Sequence, residues 1–235
     1  MDETTWLEET VRDLGADRVG VADLAAAGGL ETQPRDLLEP YPRAVVYAVR
    51  LPGAAVETCR HGPTPEYAHC YRVANEELDR IGFAVARALE RRGHRALPLP
   101  ASQLLDRERL VGHVSYKALA RLAGLGWQGK SLLLVTPEFG PRVRLGAVLT
   151  DAPLPAGRPV PNRCGSCTAC ADACPVGAIR GVGTEAHYRS REEAVELSRC
   201  AEACFGFAGR PHIEKPICGV CVRACPWGQK RETRS

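Results

Sequence analysis

Nine of the eleven cysteines in this chain follow residue 163, and their spacing constrains the fold more than any other feature. The first group is Cys164-Gly-Ser-Cys167-Thr-Ala-Cys170-Ala-Asp-Ala-Cys174-Pro175. Three cysteines at two-residue gaps can take three corners of a cubane cluster, while the one before proline is turned away to serve a second cluster. Cysteines for that second cluster follow at Cys200, Cys218, Cys221 and Cys225-Pro226. The interlaced assignment gives cluster I to Cys164, Cys167, Cys170 and Cys225, and cluster II to Cys174, Cys200, Cys218 and Cys221. Cys204 lies one helical turn beyond Cys200 and competes with it for that place. Structural zinc needs neither a third cysteine at the same spacing nor the Cys-Pro ends. Disulfides are disfavoured in a chain without a secretion signal. Cys59 and Cys70 lie far from the motif and read as small buried hydrophobes.

Two such clusters change the meaning of the charge. The formal +3 counts every cysteine as neutral, whereas a [4Fe-4S]2+ core with four thiolates is a dianion, so two of them bring the total to about −1. The basic balance is therefore poor support for nucleic-acid binding, and tRNA is not an expected partner. No apolar run approaches the ~20 residues of a membrane span. The acidic start Met1-Asp-Glu-Thr-Thr lacks the pattern of a signal peptide, which leads us to expect a cytoplasmic protein.

The stretch Asp151–Pro161 carries four prolines in eleven residues and reads as a linker. It separates an expected α+β domain over 1–155 from a two-[4Fe-4S] ferredoxin-like domain over 160–235. Apolar spacing predicts helices over about 5–14 and 65–92, the latter ending at Gly93, and a short one from a Ser115 cap through Ala123 to a stop at Gly124. Strands are expected near 18–21, 44–49 and 95–99. The runs 132–136 and 143–150, joined by Pro137-Glu-Phe-Gly-Pro141, read as an antiparallel hairpin. Helices and antiparallel strands in this order make an α+β layer.

The segment Ala123-Gly124-Leu-Gly126-Trp127-Gln128-Gly129-Lys130-Ser131 packs three glycines, a tryptophan and a lysine into nine residues. It matches neither a Walker loop nor a Rossmann fingerprint. Its glycines would let backbone approach a ligand closely, and its amides and lysine suit phosphate or carboxylate. Alone, it reads as a tight structural turn. Tyr67 and Tyr71, four apart on the long helix, read as core packing or as walls of a cavity.

This run, the following P-E-F-G and L-G-x-V-L-T-D segments, the proline linker and the C-G-x-C-x-x-C-x-x-x-C-P motif together resemble the epoxyqueuosine reductase family over about 117–227. Gly62-Pro-Thr-Pro-Glu-Tyr67 is similar to the family's G-x-D-Y segment before a long helix. The resemblance implies two [4Fe-4S] clusters, a cobalamin held by Gly124, Gly126, Trp127, Gln128, Gly129, Lys130 and Ser131, and reduction of an epoxide on a tRNA base. It also implies a nitroreductase- or cobalamin-processing-like N-terminal domain, an architecture shared with reductive dehalogenases. The chain departs from the pattern at three places. Leu110 stands where the family keeps its catalytic aspartate, with Asp106 and Glu108 out of register. Ala68 stands where it keeps a histidine, with His69 shifted by one. The C-terminal helical-repeat domain of many relatives is not expected either. His113 and Tyr116 are the candidate catalytic residues, His113 as a proton donor or cobalt ligand.

The combined expectation is an iron–sulfur oxidoreductase that passes single electrons from a ferredoxin or flavodoxin through two clusters to a corrinoid, with a small-molecule substrate other than epoxyqueuosine. The alternatives are an electron-transfer protein that reactivates a partner's cofactor, and an FMN-dependent reductase.

Overall fold

The computed structural model describes residues 2–106 and 110–229; Glu108 lies outside the described residues. Contacts divide the chain into two compact units. One comprises Met1–Arg50, Val73–Leu125 and Arg144–Val160; the other comprises Leu51–Arg72, Gly126–Val143 and Pro161–Ser235. A single cut at the proline linker does not reproduce this division, because two earlier segments fold with the cysteine-rich one.

The first unit is built on a four-stranded sheet in the order β1 (Arg18–Asp23), β2 (Arg43–Arg50), β6 (Val143–Thr150), β3 (Ala96–Leu99), with β1–β2 and β3–β6 antiparallel. Helix α1 (Glu3–Asp13) begins where the Asp2 carboxylate accepts from Thr5 N at 2.9 Å, and Gly15 at φ +110° follows its end. Leu7 and Val11 of α1 pack with Leu78, Ile81, Val85 and Leu89 of α3 (Pro65–Arg91) on Val19, Val21, Val45 and Tyr47 of the sheet. Spacing of three and four residues along α1 and α3 therefore faces the alternate residues of β1 and β2.

Helix α4 (Tyr116–Leu122) covers the opposite face, as the alternation of a strand requires. Val19 and Val21 point to α1 and α3, whereas a side chain at Gly20 would run into the Ala123 carbonyl behind α4. Ser115 caps α4, accepting from Ala118 N, and Gly124 at φ +79° ends the turn, as expected from sequence. Helix α2 (Gly53–Glu57) is a short element of the second unit.

The hairpin expectation does not hold. The run 132–136 contributes only β5 (Leu134–Val135), which pairs antiparallel with β4 (Trp127–Gln128); β6 belongs to the large sheet. The all-apolar Leu132-Leu-Leu-Val135 run carries no period to declare its partner. Gly126 decides the pairing, since a methyl there would collide with the Val135 carbonyl.

The sheet interior is tightly filled. Tyr47 is 1% exposed and donates its hydroxyl to the Leu78 carbonyl at 3.0 Å, and a Cβ at Gly146 would lie 2.5 Å from its ring. Gly146→Ala should therefore lower unfolding free energy by about 1–3 kcal/mol through overpacking. Gly28→Ala, with nothing within 4 Å, should change it far less. Urea unfolding of the two variants compares them directly.

Candidate functional site

The second unit is held together around its cysteines. After the linker, Asn162 makes an Asx-type turn that accepts from Cys164 N at 2.8 Å, and Cys167 N donates to the Cys164 carbonyl at 3.0 Å. The chain then enters α5 (Ala169–Asp172) and leaves it at Cys174-Pro175. The same device recurs later: Gly219 at φ +87° caps α7 (Val220–Ala224), which stops at Cys225-Pro226. Helices α5 and α7 pack against each other. Between them, α6 (Leu197–Ala208) carries Cys200 and Cys204 one turn apart. All eleven cysteines are free thiols.

The thiols fall into two sets by their influence on one another. Burial and then the neighbouring Cys164 and Cys167 push the Cys170 thiol up. Burial pushes Cys225 up to about 11, with Cys164, Cys170 and Cys167 as its charged neighbours. Burial likewise raises Cys218, whose thiol neighbours are Cys200 and Cys174. Half-buried Cys221 feels Cys218 and Cys200 first, then Cys170 and Cys174, as a thiol near the meeting of the two sets would. Cys174 and Cys200 pack on one small core of Leu132, Ala178, Tyr188, Ala194 and Val195. Cys204 shares a hydrogen bond with Cys200, which raises it most, and also lies near Cys218 and Cys221.

Among the described residues, no three His, Cys, Asp or Glu side chains converge on the position of a single metal ion. A cubane needs its thiolates at the corners of a body several atoms wide, so two separated sets of thiols suit it. Cys59 is fully buried, its thiol pushed up to about 12 by burial, and it stands against Gly219 with Tyr67. Both fill space behind the Cys218 loop. Tyr71 lies 6.4 Å from Tyr67, ring to ring.

The glycine-rich turn is engaged with this same loop. Trp127, Gln128 and Lys130 are 1%, 6% and 9% exposed. Lys130 Nζ donates to the Cys167 carbonyl at 3.1 Å. The Gln128 carbonyl accepts from Asn162 Nδ2 at 3.1 Å, and Gln128 Oε1 accepts from Tyr188 N. Gly129 lets the turn approach Cys164, whose Sγ would be 3.6 Å from a Cβ there, and its carbonyl accepts from the Tyr188 hydroxyl. Trp127 meets the edge of Trp227 at 4.9 Å, just beyond Cys225-Pro226. Gly126 admits β5, and Ser131 is half-buried beside Leu132. Gly124 belongs to the first unit, where it passes the Arg158 carbonyl. These side chains thus brace the cluster segment, where sequence alone pointed to an open cofactor cavity.

Asn162 and Tyr188 were not expected. An asparagine two residues before Cys164 is a legible turn signal; nothing local marks Tyr188. Arg142 was also missed. Its guanidinium is 2% exposed and reaches Glu57 at 3.0 Å and the Arg223 and Gly228 carbonyls at 3.3 Å.

The two candidate catalytic residues lie in the first unit. His113 Nδ1 is buried without a hydrogen-bond partner, and burial lowers the imidazole's pKa, so the ring is neutral at pH 7. The Tyr116 hydroxyl donates to the Pro100 carbonyl at 2.9 Å; burial, then the Asp79 charge, raise its pKa and hold the proton in place. Leu110 sits in a left-handed conformation, φ +53°.

Residues 163–228 match the model of the 4Fe-4S double cluster binding domain. An epoxyqueuosine reductase of Bacillus anthracis is 47% identical over 69 residues, 29% of this chain and 18% of that one. One from Vibrio cholerae is 28% identical over 216 residues, 88% of this chain and 55% of that one. The chain is a sequence relative of the epoxyqueuosine reductases. It spans only about half the length of the Vibrio enzyme. Its fold is that of a reductive dehalogenase described for B12-dependent dehalogenation (TM-score 0.72, 20% identity, 96% of this chain and 31% of that one). It is also that of an epoxyqueuosine reductase solved with a modified tRNA-Tyr stem loop (TM-score 0.61, 22% identity, 95% and 64%). At about one residue in five identical, these two likenesses carry the fold alone.

The ligand roles lead to a direct test by iron analysis of anaerobically prepared protein. Cys167→Ala should lower iron from about eight to about four atoms per chain and weaken the second unit, which its metal organises. Cys200→Ala should do the same for the other cluster, while Cys204→Ala and Cys59→Ala keep the full count. Iron lost from Cys204→Ala but kept in Cys200→Ala would exchange their roles.

Proposed function

We propose that the chain is an iron–sulfur reductase that carries single electrons through two [4Fe-4S] clusters, held by Cys164, Cys167, Cys170 and Cys225 and by Cys174, Cys200, Cys218 and Cys221. The observation that carries this reading is the gathering of the nine later cysteines, all free thiols at the spacing of two interlaced motifs, within one unit. The family model over 163–228 supports it. The unit of Leu51–Arg72, Gly126–Val143 and Pro161–Ser235 serves the clusters and the other unit the acceptor, a part we relate to nitroreductase- and cobalamin-processing-like folds. No helix of the described residues is long and apolar enough to cross a membrane.

The acceptor in this reading is a corrinoid, supported by the B12-dependent dehalogenase that shares the fold. The side chains of Trp127, Gln128 and Lys130 do not fit the role of holding it, being engaged with the cysteine loop. His113 fits better: a buried ring nitrogen without a partner is an atom that a bound group would satisfy. A bound corrinoid would supply a strongly nucleophilic reduced cobalt. His113 binds and orients, its lowered pKa making it a poor proton store at neutral pH. Tyr116 supports the same loop through Pro100.

The relatives are named for epoxyqueuosine, and one was solved on tRNA; for this chain we propose a different, small substrate. Epoxide opening needs a proton for the developing alkoxide, and a positioned acid contributes typically ~10²–10⁴ in rate. Leu110 has none to give. An electron-delivery protein acting on a partner's cofactor is the second reading, favoured by the same engagement of the turn side chains. The FMN expectation gains no support from these relatives.

The deciding experiment is anaerobic cluster reconstitution followed by titration with cobalamin, read by absorbance and EPR. About eight iron atoms per chain and a saturable cobalt signal, lost in His113→Ala, are expected. Zinc or no iron would overturn the cluster reading. Full iron with no cobalamin bound would overturn the corrinoid and leave electron delivery.

A further inference from the structure

The two thiol sets have different surroundings. The set of Cys164, Cys167 and Cys170 is walled by the buried turn around Gly129 and Lys130. The set containing Cys200 and Cys218 brackets the segment 209–217. That segment lines a cavity of about 250 Å3 together with the first turns of α3. Around it stand His69, Arg72, His212, Glu214 and Lys215, all exposed. His212 and Glu214 are both held at positive φ, 64° and 57°, a conformation such residues rarely adopt without support from their surroundings.

The fixed charges here are mostly positive. Arg72 donates to His69 Nδ1 at 3.2 Å, so the ring accepts there and Arg72 carries the charge. Arg210 lies over the Phe207 ring, beside Gly62 and within electrostatic reach of Cys218. Lys215 stands three residues before Cys218. The exposed cations Arg72 and Lys215 line the mouth with the carboxylate of Glu214, exposed Arg210 follows Phe207, and Glu66 lies at the exposed start of α3.

We infer that this cavity mouth is the docking site of a small acidic one-electron carrier protein, which delivers its electrons at the Cys200/Cys218 end of the unit. The inference rests on the two-cluster reading above. Exposed cations around an open mouth steer an oppositely charged surface and set its register. A nucleic-acid strand needs a longer run of cations for its phosphates. Each encounter moves one electron: the carrier is oxidised by one and this chain is reduced by one, with no proton or group transferred. The direction follows, from the Cys200/Cys218 end toward the set beside the glycine-rich turn.

The test uses the two-cluster holoprotein and oxidised flavodoxin as the probe, with affinity measured by calorimetry at low and high salt. Arg72→Glu/Lys215→Glu should weaken Kd by about 10-fold or more at low salt, and Glu214→Gln should tighten it. Reduction of the clusters by reduced flavodoxin should slow in parallel in the double variant, while reduction by a neutral photoreduced deazaflavin stays unchanged. An unchanged Kd in both variants would overturn the inference. So would tRNA binding that the double variant abolishes while flavodoxin affinity is untouched, since the surface would then belong to nucleic acid. Iron counted on the same samples separates failure of docking from failure of the cluster reading.

Discussion

Four thiolates must reach the corners of one cluster, and a short chain can present them only by curling tightly and being held in the curl. In this protein the hold is a set of hydrogen bonds from a distant segment. Lys130 fixes the Cys167 carbonyl, and Gln128 fixes Asn162, which in turn fixes the Cys164 amide. Trp127 and Arg142 do the same at the other end of the motif, through Trp227 and through the carbonyls of Arg223 and Gly228. Each glycine of the turn permits one of these approaches: Gly126 admits β5, and Gly129 admits the Cys164 loop. The segment 126–143 therefore folds with residues that follow it by some thirty positions or more, and the compact units do not follow the linker.

That dependence explains what the sequence revealed and what it withheld. The cysteine spacing, the cap at Ser115, the stops at Gly93 and Gly124 and the apolar stripe of α3 are local signals, and each was legible. Helix α1 starts two residues earlier than its apolar stripe implied, because the Asp2 cap lies outside that stripe. The strands 132–136 and 143–150 were misjoined because the partner of an all-apolar run is set by tertiary contacts. The glycine-rich turn was recognised as a place of close approach, but what approaches is this chain's own cysteine loop. Tyr188, which bonds Gly129 and Gln128 from some sixty residues away, left no local trace.

The first unit tells a different story. Its sheet and helices are ordinary packing around Tyr47, but the loop before α4 holds features that packing does not require. His113 keeps a buried nitrogen without a partner, and Leu110 holds a left-handed backbone. Departures of this kind concentrate at functional sites.

On the reading proposed, one small unit holds two clusters, assembled from interlaced motifs. The most direct measurement is a potentiometric titration of anaerobically prepared protein followed by low-temperature EPR. Two clusters require reduction in two one-electron steps, with fully reduced protein integrating to about two spins per chain and its signals broadened by mutual coupling. A spectrum that integrates to about one spin, or a protein that stays silent at every potential, would contradict it.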